Sequence, residues 1–153
     1  MALRLRPDDW SEFSLYGDPV EVMERSREVS DSSYALLIDG RPEAIFGVNR
    51  YALEAPDTYA AIWCAGTPQF ASERRWIVRN SQAVIQALSH GCAVSGNVVD
   101  LRNKTHIRWL RWLGYEFTPS SVEGLLEFVK LHHVPTSSRS RRNRRSANRR
   151  TVV

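Results

Sequence analysis

Lys104, Arg108 and Arg111 recur at a spacing of three to four residues with Trp109 and Trp112 beside them, which on a helix makes one cationic, aromatic side. Guanidinium and indole groups stack on nucleotide bases, and the same residue types anchor protein interfaces. Trp109 and Trp112 equally suit the wide apolar face of a helix packed on a sheet. For Arg108, Trp109, Arg111 and Trp112 a protein interface, a core position and a nucleic-acid contact therefore all stand at this level. A second cationic set lies in residues 136–153, where Arg139, Arg141, Arg142, Arg144, Arg145, Arg149 and Arg150 stand without any acid. Arginine forks pair with phosphates, and each neutralised phosphate releases counterions, so this segment is expected to bind DNA phosphates or an acidic protein surface. It carries no aromatic for base stacking, so sequence-specific readout is not expected.

The remaining reactive side chains are less suggestive. Cys64 and Cys92 have no metal-ligand or redox spacing and read as two reduced core residues. His90, His106, His132 and His133 are scattered without a zinc-type spacing, and no metal is expected.

The elements that must position these groups are legible in the apolar pattern. Residues 7–15 and 19–29 read as two helices. The first has Pro7 at its start and Asp8 and Asp9 favouring its positive end; the second has Asp18 as cap and Pro19 as first residue. Residues 34–38 and 42–49 are apolar runs around Asp39-Gly40, a dipeptide that supplies the positive backbone angles of a tight hairpin turn. A strand is expected over 59–64 and a helix from Thr67-Pro68 to Gly91, with Ser72 as a second cap and Trp76, Ala83, Val84, Ala87 and Leu88 facing the core. Residues 93–99 read as a buried strand, Asn103 as the cap of a helix carrying Ile107, Leu110 and Leu113, Gly114 as its stop, and 115–118 as a further strand.

This last run, from strand through Asn cap and helix to Leu113-Gly114-Tyr115, resembles the closing segment of the GNAT superfamily of N-acetyltransferases. The order of elements over residues 34–131 is similar too. Tyr16-Gly17-Asp18-Pro19, Ala44-Ile45-Phe46-Gly47 and Ile107-Arg108-Trp109-Leu110-Arg111-Trp112-Leu113-Gly114 together resemble the small acetyltransferase-like proteins of short-tailed bacteriophages, of the internal virion protein A type. The resemblance implies an α/β (α+β) fold: a mixed, mainly antiparallel sheet flanked by helices over residues 1–135, followed by the basic tail. Its first strand would be the weak Leu3-Arg4-Leu5, short or absent.

In those enzymes two central strands diverge, the gap receives the pantetheine arm of acetyl-coenzyme A, and the pyrophosphate rests on amides of a loop of the form Gln/Arg-x-x-Gly-x-Gly/Ala. Carried over, the cofactor positions here are Trp63, Cys64, Ala65, Gln69, Phe70, Ala71, Ser72 and Asn103. The loop departs from the pattern, because Ser72 and Arg74 stand where glycine or alanine is required, and Glu73 adds a carboxylate. The tyrosine that commonly protonates the departing thiolate corresponds to Leu110, which has no proton to give. Tyr115, Tyr59 or a water would have to replace it, and Glu43, Glu54 and Asp57 read as ordinary surface carboxylates rather than as bases. No catalytic residue is therefore assigned, and Asn103 is accounted for as a helix cap worth about 0.5–2 kcal/mol.

Charge divides the chain in two. Residues 136–153 hold +7 while the remainder, 14 basic against 17 acidic, holds −3, so the formal +4 describes neither part. The tail cannot bury enough apolar surface to offset its ordering entropy, and disorder in isolation is expected from just after Pro135. One domain of ordinary core size suits 153 residues at 42% hydrophobic content. No apolar run approaches the roughly 18–20 residues of a membrane span, and Met1-Ala2-Leu3-Arg4-Leu5-Arg6-Pro7 lacks the apolar segment expected of a signal peptide. A soluble protein made in a cytoplasm is expected. The resemblance adds a virion location and other virion proteins as partners; the departures at Ser72, Arg74 and Leu110 leave no cofactor expected, with acetyl-coenzyme A only if the chain is an enzyme. Self-association is left open.

Overall fold

The computed structural model describes residues 1–53 and 57–132, in which a six-stranded sheet is covered by helices on both faces. The elements run α1 (Pro7–Ser14), α2 (Pro19–Val29), β1 (Ser32–Ile38), β2 (Arg41–Ala52), β3 (Thr58–Gly66), α3 (Pro68–Ser72), α4 (Arg74–Leu88), β4 (Val94–Asp100), α5 (Lys104–Trp112), β5 (Glu116–Pro119) and β6 (Leu125–Leu131). Strand order is β1-β2-β3-β4-β6-β5, antiparallel except at β3 and β4.

Local chemistry explains most of these boundaries. The Asp18 carboxylate accepts hydrogen bonds from the amides of Val20 and Glu21, capping α2 as expected. Asp39 and Gly40 adopt φ of 50° and 75°, the left-handed pair that a two-residue hairpin turn requires, and they join β1 to β2. The Asn103 Oδ1 accepts from the His106 amide at 3.1 Å to open α5, and Gly114 closes that turn before β5.

Two apolar clusters hold the layers together. Ile85 and Leu88 of α4, Ile107 and Leu110 of α5 and Leu113 just after it pack with Val48, Ala60, Ile62, Val99 and Phe128 on one face. Ala2, Leu5, Met23 and Ala65 form the smaller cluster on the other face, with Phe13, Val20 and Ile45 against it. The Trp109 indole N–H donates to Ser81 Oγ at 3.0 Å and so ties α5 to α4.

The structure corrects several expectations. Residues 2–4 form a 3-10 turn, so the first strand, expected to be short or absent, is absent and β1 is an edge. The single helix expected after Thr67 is broken at Glu73, whose ψ of 46° is not helical, giving the five-residue α3 and a separate α4. Ala83 and Ala87 are exposed, and the inner stripe of α4 is Ser81, Val84, Ile85 and Leu88. The break re-phases the helix, which a pattern read as continuous from Thr67 cannot anticipate. Glu43 is no surface carboxylate. Its side chain is buried, accepting from Arg4 Nη1 at 2.8 Å and from the Thr67 hydroxyl. These bonds, Thr67's foremost, hold its pKa below the usual carboxylate range.

Candidate functional site: the gap between β3 and β4

β3 and β4 pair over only three positions, from Tyr59 with Val94 to Ala61 with Gly96, and then separate. Parallel strands that part in mid-sheet leave backbone groups without ladder partners, and buried backbone groups must find others. Asn97 Nδ2 supplies one, donating to the Ile62 carbonyl at 2.9 Å across the widening gap. At the far end of β3, the Gly66 amide donates to Asp9 Oδ2 at 2.9 Å, and the Gly66 carbonyl accepts from the Arg6 amide at 2.9 Å. The chain's own first helix thus fills the open end of the gap.

Asp9 is held firmly there. It is 3% exposed, and the Arg6 guanidinium grips both its oxygens. Asn103 Nδ2 reaches Glu12 Oε2 at 3.2 Å and lies 3.5 Å from Asp9 Oδ1, so the cap of α5 is also the bracket that fixes α1. Burial raises the Glu12 carboxyl to about 7, with the neighbouring carboxylates of Asp9 and Asp100 adding to the effect against the Asn103 hydrogen bond. Burial lowers the His106 ring to about 4, which keeps it neutral at pH 7. Cys64 is only partly exposed, and the loss of solvent pushes its thiol up to about 12.

A cavity of about 410 Å3 runs through the gap, with Phe13, Tyr16 and Trp63 on the α1–α2 side and Val84, Trp109 and Leu110 on the other. Its wall is largely aromatic and aliphatic, with carboxyl groups at one end. Such a chamber accepts a small apolar or cationic group more readily than an anion.

The residues expected around a cofactor are brought together only in part. Trp63 is half-buried and donates to Ser30 Oγ at 2.8 Å, while Cys64 and Phe70 line the cavity. Ala65 is fully buried in the smaller cluster. Gln69 and Ser72 are exposed, and the Ser72 hydroxyl donates to the Gln69 carbonyl at 2.7 Å; Ala71 is half-buried beside them. Phe70 lies so close to Gly66 that a methyl group there would meet its ring at 2.5 Å. Three features oppose a nucleotide cofactor here: a carboxylate already holds the Gly66 amide, Ser72 and Arg74 stand at the loop's small-residue positions, and Glu12 adds a second acid nearby.

Leu110 is 1% exposed in the main core, and the two tyrosines expected to stand in for it lie away from the open end of the gap. The Tyr115 hydroxyl is 2.8 Å from Ser95 Oγ, at the closed end of the strand pair, and burial raises its pKa to about 12. Tyr59 also belongs to that closed end, and burial raises its pKa as well. Asp57 is exposed, whereas Glu54 and His133 lie outside the described residues. Arg108, Arg111 and Trp112 are exposed on α5, and Trp109 is half-buried, packed against the core. The tail arginines, Arg139 to Arg150, also lie outside the described residues.

Arg6, Asp9 and Glu12 were not expected at the site. Pro7-Asp8-Asp9 carries only the signal of an acidic helix start, and nothing in local spacing announces a contact 57 residues away.

No protein-family model and no curated protein sequence matches the chain. Its fold is nevertheless found among solved structures. The GNAT domain of PAT from S. lividans superposes with a TM-score of 0.64 at 16% identity, over 84% of this chain and 80% of that one. A GNAT-family acetyltransferase from Streptococcus agalactiae gives 0.56 at 17% identity over 83% and 79%. YncA from Salmonella typhimurium, solved with its cofactor acetyl-CoA, gives 0.54 at 13% identity over 78% and 79%. At these identities the likeness establishes the fold, a GNAT-like α+β sheet, and nothing about chemistry.

Proposed function

We propose that this chain uses an acetyltransferase fold as a binding scaffold and not for acetyl transfer, serving as a virion-associated or assembly protein of a short-tailed bacteriophage. The observation that carries the scaffold reading is the occupation of both free backbone groups of Gly66 by Asp9 and Arg6, at the end of the gap that must stay open for a nucleotide cofactor. Leu110 in place of a proton donor supports it. The bacteriophage part rests on the resemblance carried by Tyr16-Gly17-Asp18-Pro19, Ala44-Ile45-Phe46-Gly47 and the α5 sequence. Its partners are other virion proteins, and its tail, Arg139 to Arg150, contacts DNA phosphates or an acidic partner.

Calorimetric titration with acetyl-coenzyme A tests the scaffold reading, and no heat of binding at micromolar concentrations is expected. The alternative, an acetyl-coenzyme A-dependent N-acetyltransferase acting on a small-molecule or protein amine, is favoured by the cavity that runs through the gap. Micromolar binding that disappears in Ser72→Glu would establish that alternative. Mass spectrometry of purified particles checks the virion location. A DNA titration of the full chain against one ending at Pro135 checks the tail, where equal affinities would remove that assignment.

A further inference from the structure

Charge is segregated between the two faces of the sheet, and the segregation follows the helices. α1 carries Asp8, Asp9 and Glu12 with no base, and α2 carries Glu21, Glu24 and Glu28 against Arg25 and Arg27. On the opposite face, α4 carries Arg74, Arg75 and Arg79 and α5 carries Lys104, Arg108 and Arg111, with no acid in either helix. All six cations are exposed, and none forms an ion pair among the described residues. Glu73 before α4 and Glu116 after α5 are the acids that border the patch in sequence. Two layers of helix and a sheet separate the faces by well over a Debye length of about 8 Å at physiological salt, so the acidic face does not cancel the basic one.

The patch also presents an aromatic surface. Trp112 is 49% exposed, one residue beyond Arg111 and four beyond Arg108, and the Trp109–Ser81 hydrogen bond ties this stretch of α5 to the middle of α4, the helix that also carries the exposed Val78 and Arg79. Guanidinium groups without an ion pair among the described residues, Arg111 lying over the Phe117 ring at 5.4 Å, together with an open indole meet both demands of an unpaired strand: phosphates for the cations and a π-face for a base. A duplex hides its base faces and would leave Trp112 unused.

We infer that the outer face of α4 and α5 is a binding surface for single-stranded nucleic acid, read through phosphates and one base stack without sequence preference. This surface is separate from the tail, and it stands whether or not the gap between β3 and β4 binds a cofactor.

The test uses the full-length chain with its seven tail arginines changed to serine, titrated with a labelled oligothymidylate at several salt concentrations. Binding is expected to persist, with a log–log salt slope approaching about −4 if all six cations engage. Arg79→Glu, Arg108→Glu and Arg111→Glu combined should weaken it more than about tenfold, and Trp112→Ala about tenfold. Circular dichroism checks that these exposed changes leave the fold intact. As a readout that needs no substitution on the patch, photo-cross-linking of a bromouracil oligonucleotide to the same tail-neutralised chain should place adducts within residues 74–88 and 104–112. Loss of all binding with the tail, affinity unchanged by the charge reversal, adducts confined elsewhere, or salt-sensitive self-association in place of oligonucleotide binding would each overturn the inference.

Discussion

Asp9 Oδ2 accepts the Gly66 amide hydrogen at 2.9 Å, although 57 residues separate the two in the chain. A carboxylate from the first helix thereby closes a strand end that the fold otherwise leaves open, and Arg6 neutralises it in place.

Asp9→Ala removes that contact and leaves both the Arg6 guanidinium and the Gly66 amide without their partner. Breaking a buried charge pair on one side costs about 3–5 kcal/mol, so the urea midpoint should drop sharply with little change in slope. A loss below about 1 kcal/mol, accompanied by newly acquired binding of acetyl-coenzyme A, would show instead that Asp9 is a removable plug.

Stability should respond to pH through two half-buried groups of opposite sign. Glu12, raised by burial from 4.5 to about 7, binds more protons in the native state between those values, so its contribution falls as pH rises. His106, lowered by burial from 6.5 to about 4, binds fewer, and its contribution rises with pH over that interval. Each spans about 3 kcal/mol, and over pH 4.5–6.5 the two oppose each other. Urea denaturation of Glu12→Gln should therefore show stability rising with pH in this window, and that of His106→Gln should show it falling. Identical pH profiles for both variants would refute the assignment.

Restoring a tyrosine at position 110 should not restore chemistry. Leu110 is packed within the main core, so Leu110→Tyr overfills it at a cost of about 1–3 kcal/mol, while Leu110→Ala leaves a void costing about 2–5 kcal/mol. Thermal denaturation should place both variants below the parent, and acetyl transfer from acetyl-coenzyme A to an amine should stay at background in Leu110→Tyr. Measurable turnover there would return the fold to the enzymes.

The two thiols should be inert while the protein is folded. Cys64 is raised to about 12 by burial, so at pH 8 about one molecule in ten thousand is a thiolate, and Cys92 is buried. Labelling with a disulfide reagent should be slow in buffer and complete in urea. Fast modification of one thiol under native conditions would mean that the cavity opens freely to solvent.

The residues that announce themselves in the sequence are those whose partners are close in the chain. Asp18 caps the amides two and three residues ahead, Asp39-Gly40 turns a hairpin, and Asn103 caps α5; each was legible because a short-range hydrogen bond or a backbone angle selects the residue type. The departures at Ser72, Arg74 and Leu110 are read only against the resemblance to the acetyltransferases, not from local chemistry. The break at Glu73 was not legible, because the apolar spacing on either side permits one continuous helix and only packing on the sheet selects two.

Tertiary structure alone decided the character of the gap. Glu43 reads as a surface acid and is buried between Arg4 and Thr67, and Asp9 reads as a dipole partner for α1 and serves β3 instead. Sequence periodicity records which side of an element faces the core, so it specified the sheet, its helices and their order. It carries no record of which distant group will satisfy a strand end left open where β3 and β4 part, because that choice depends on where the folded chain brings a carboxylate within hydrogen-bond reach.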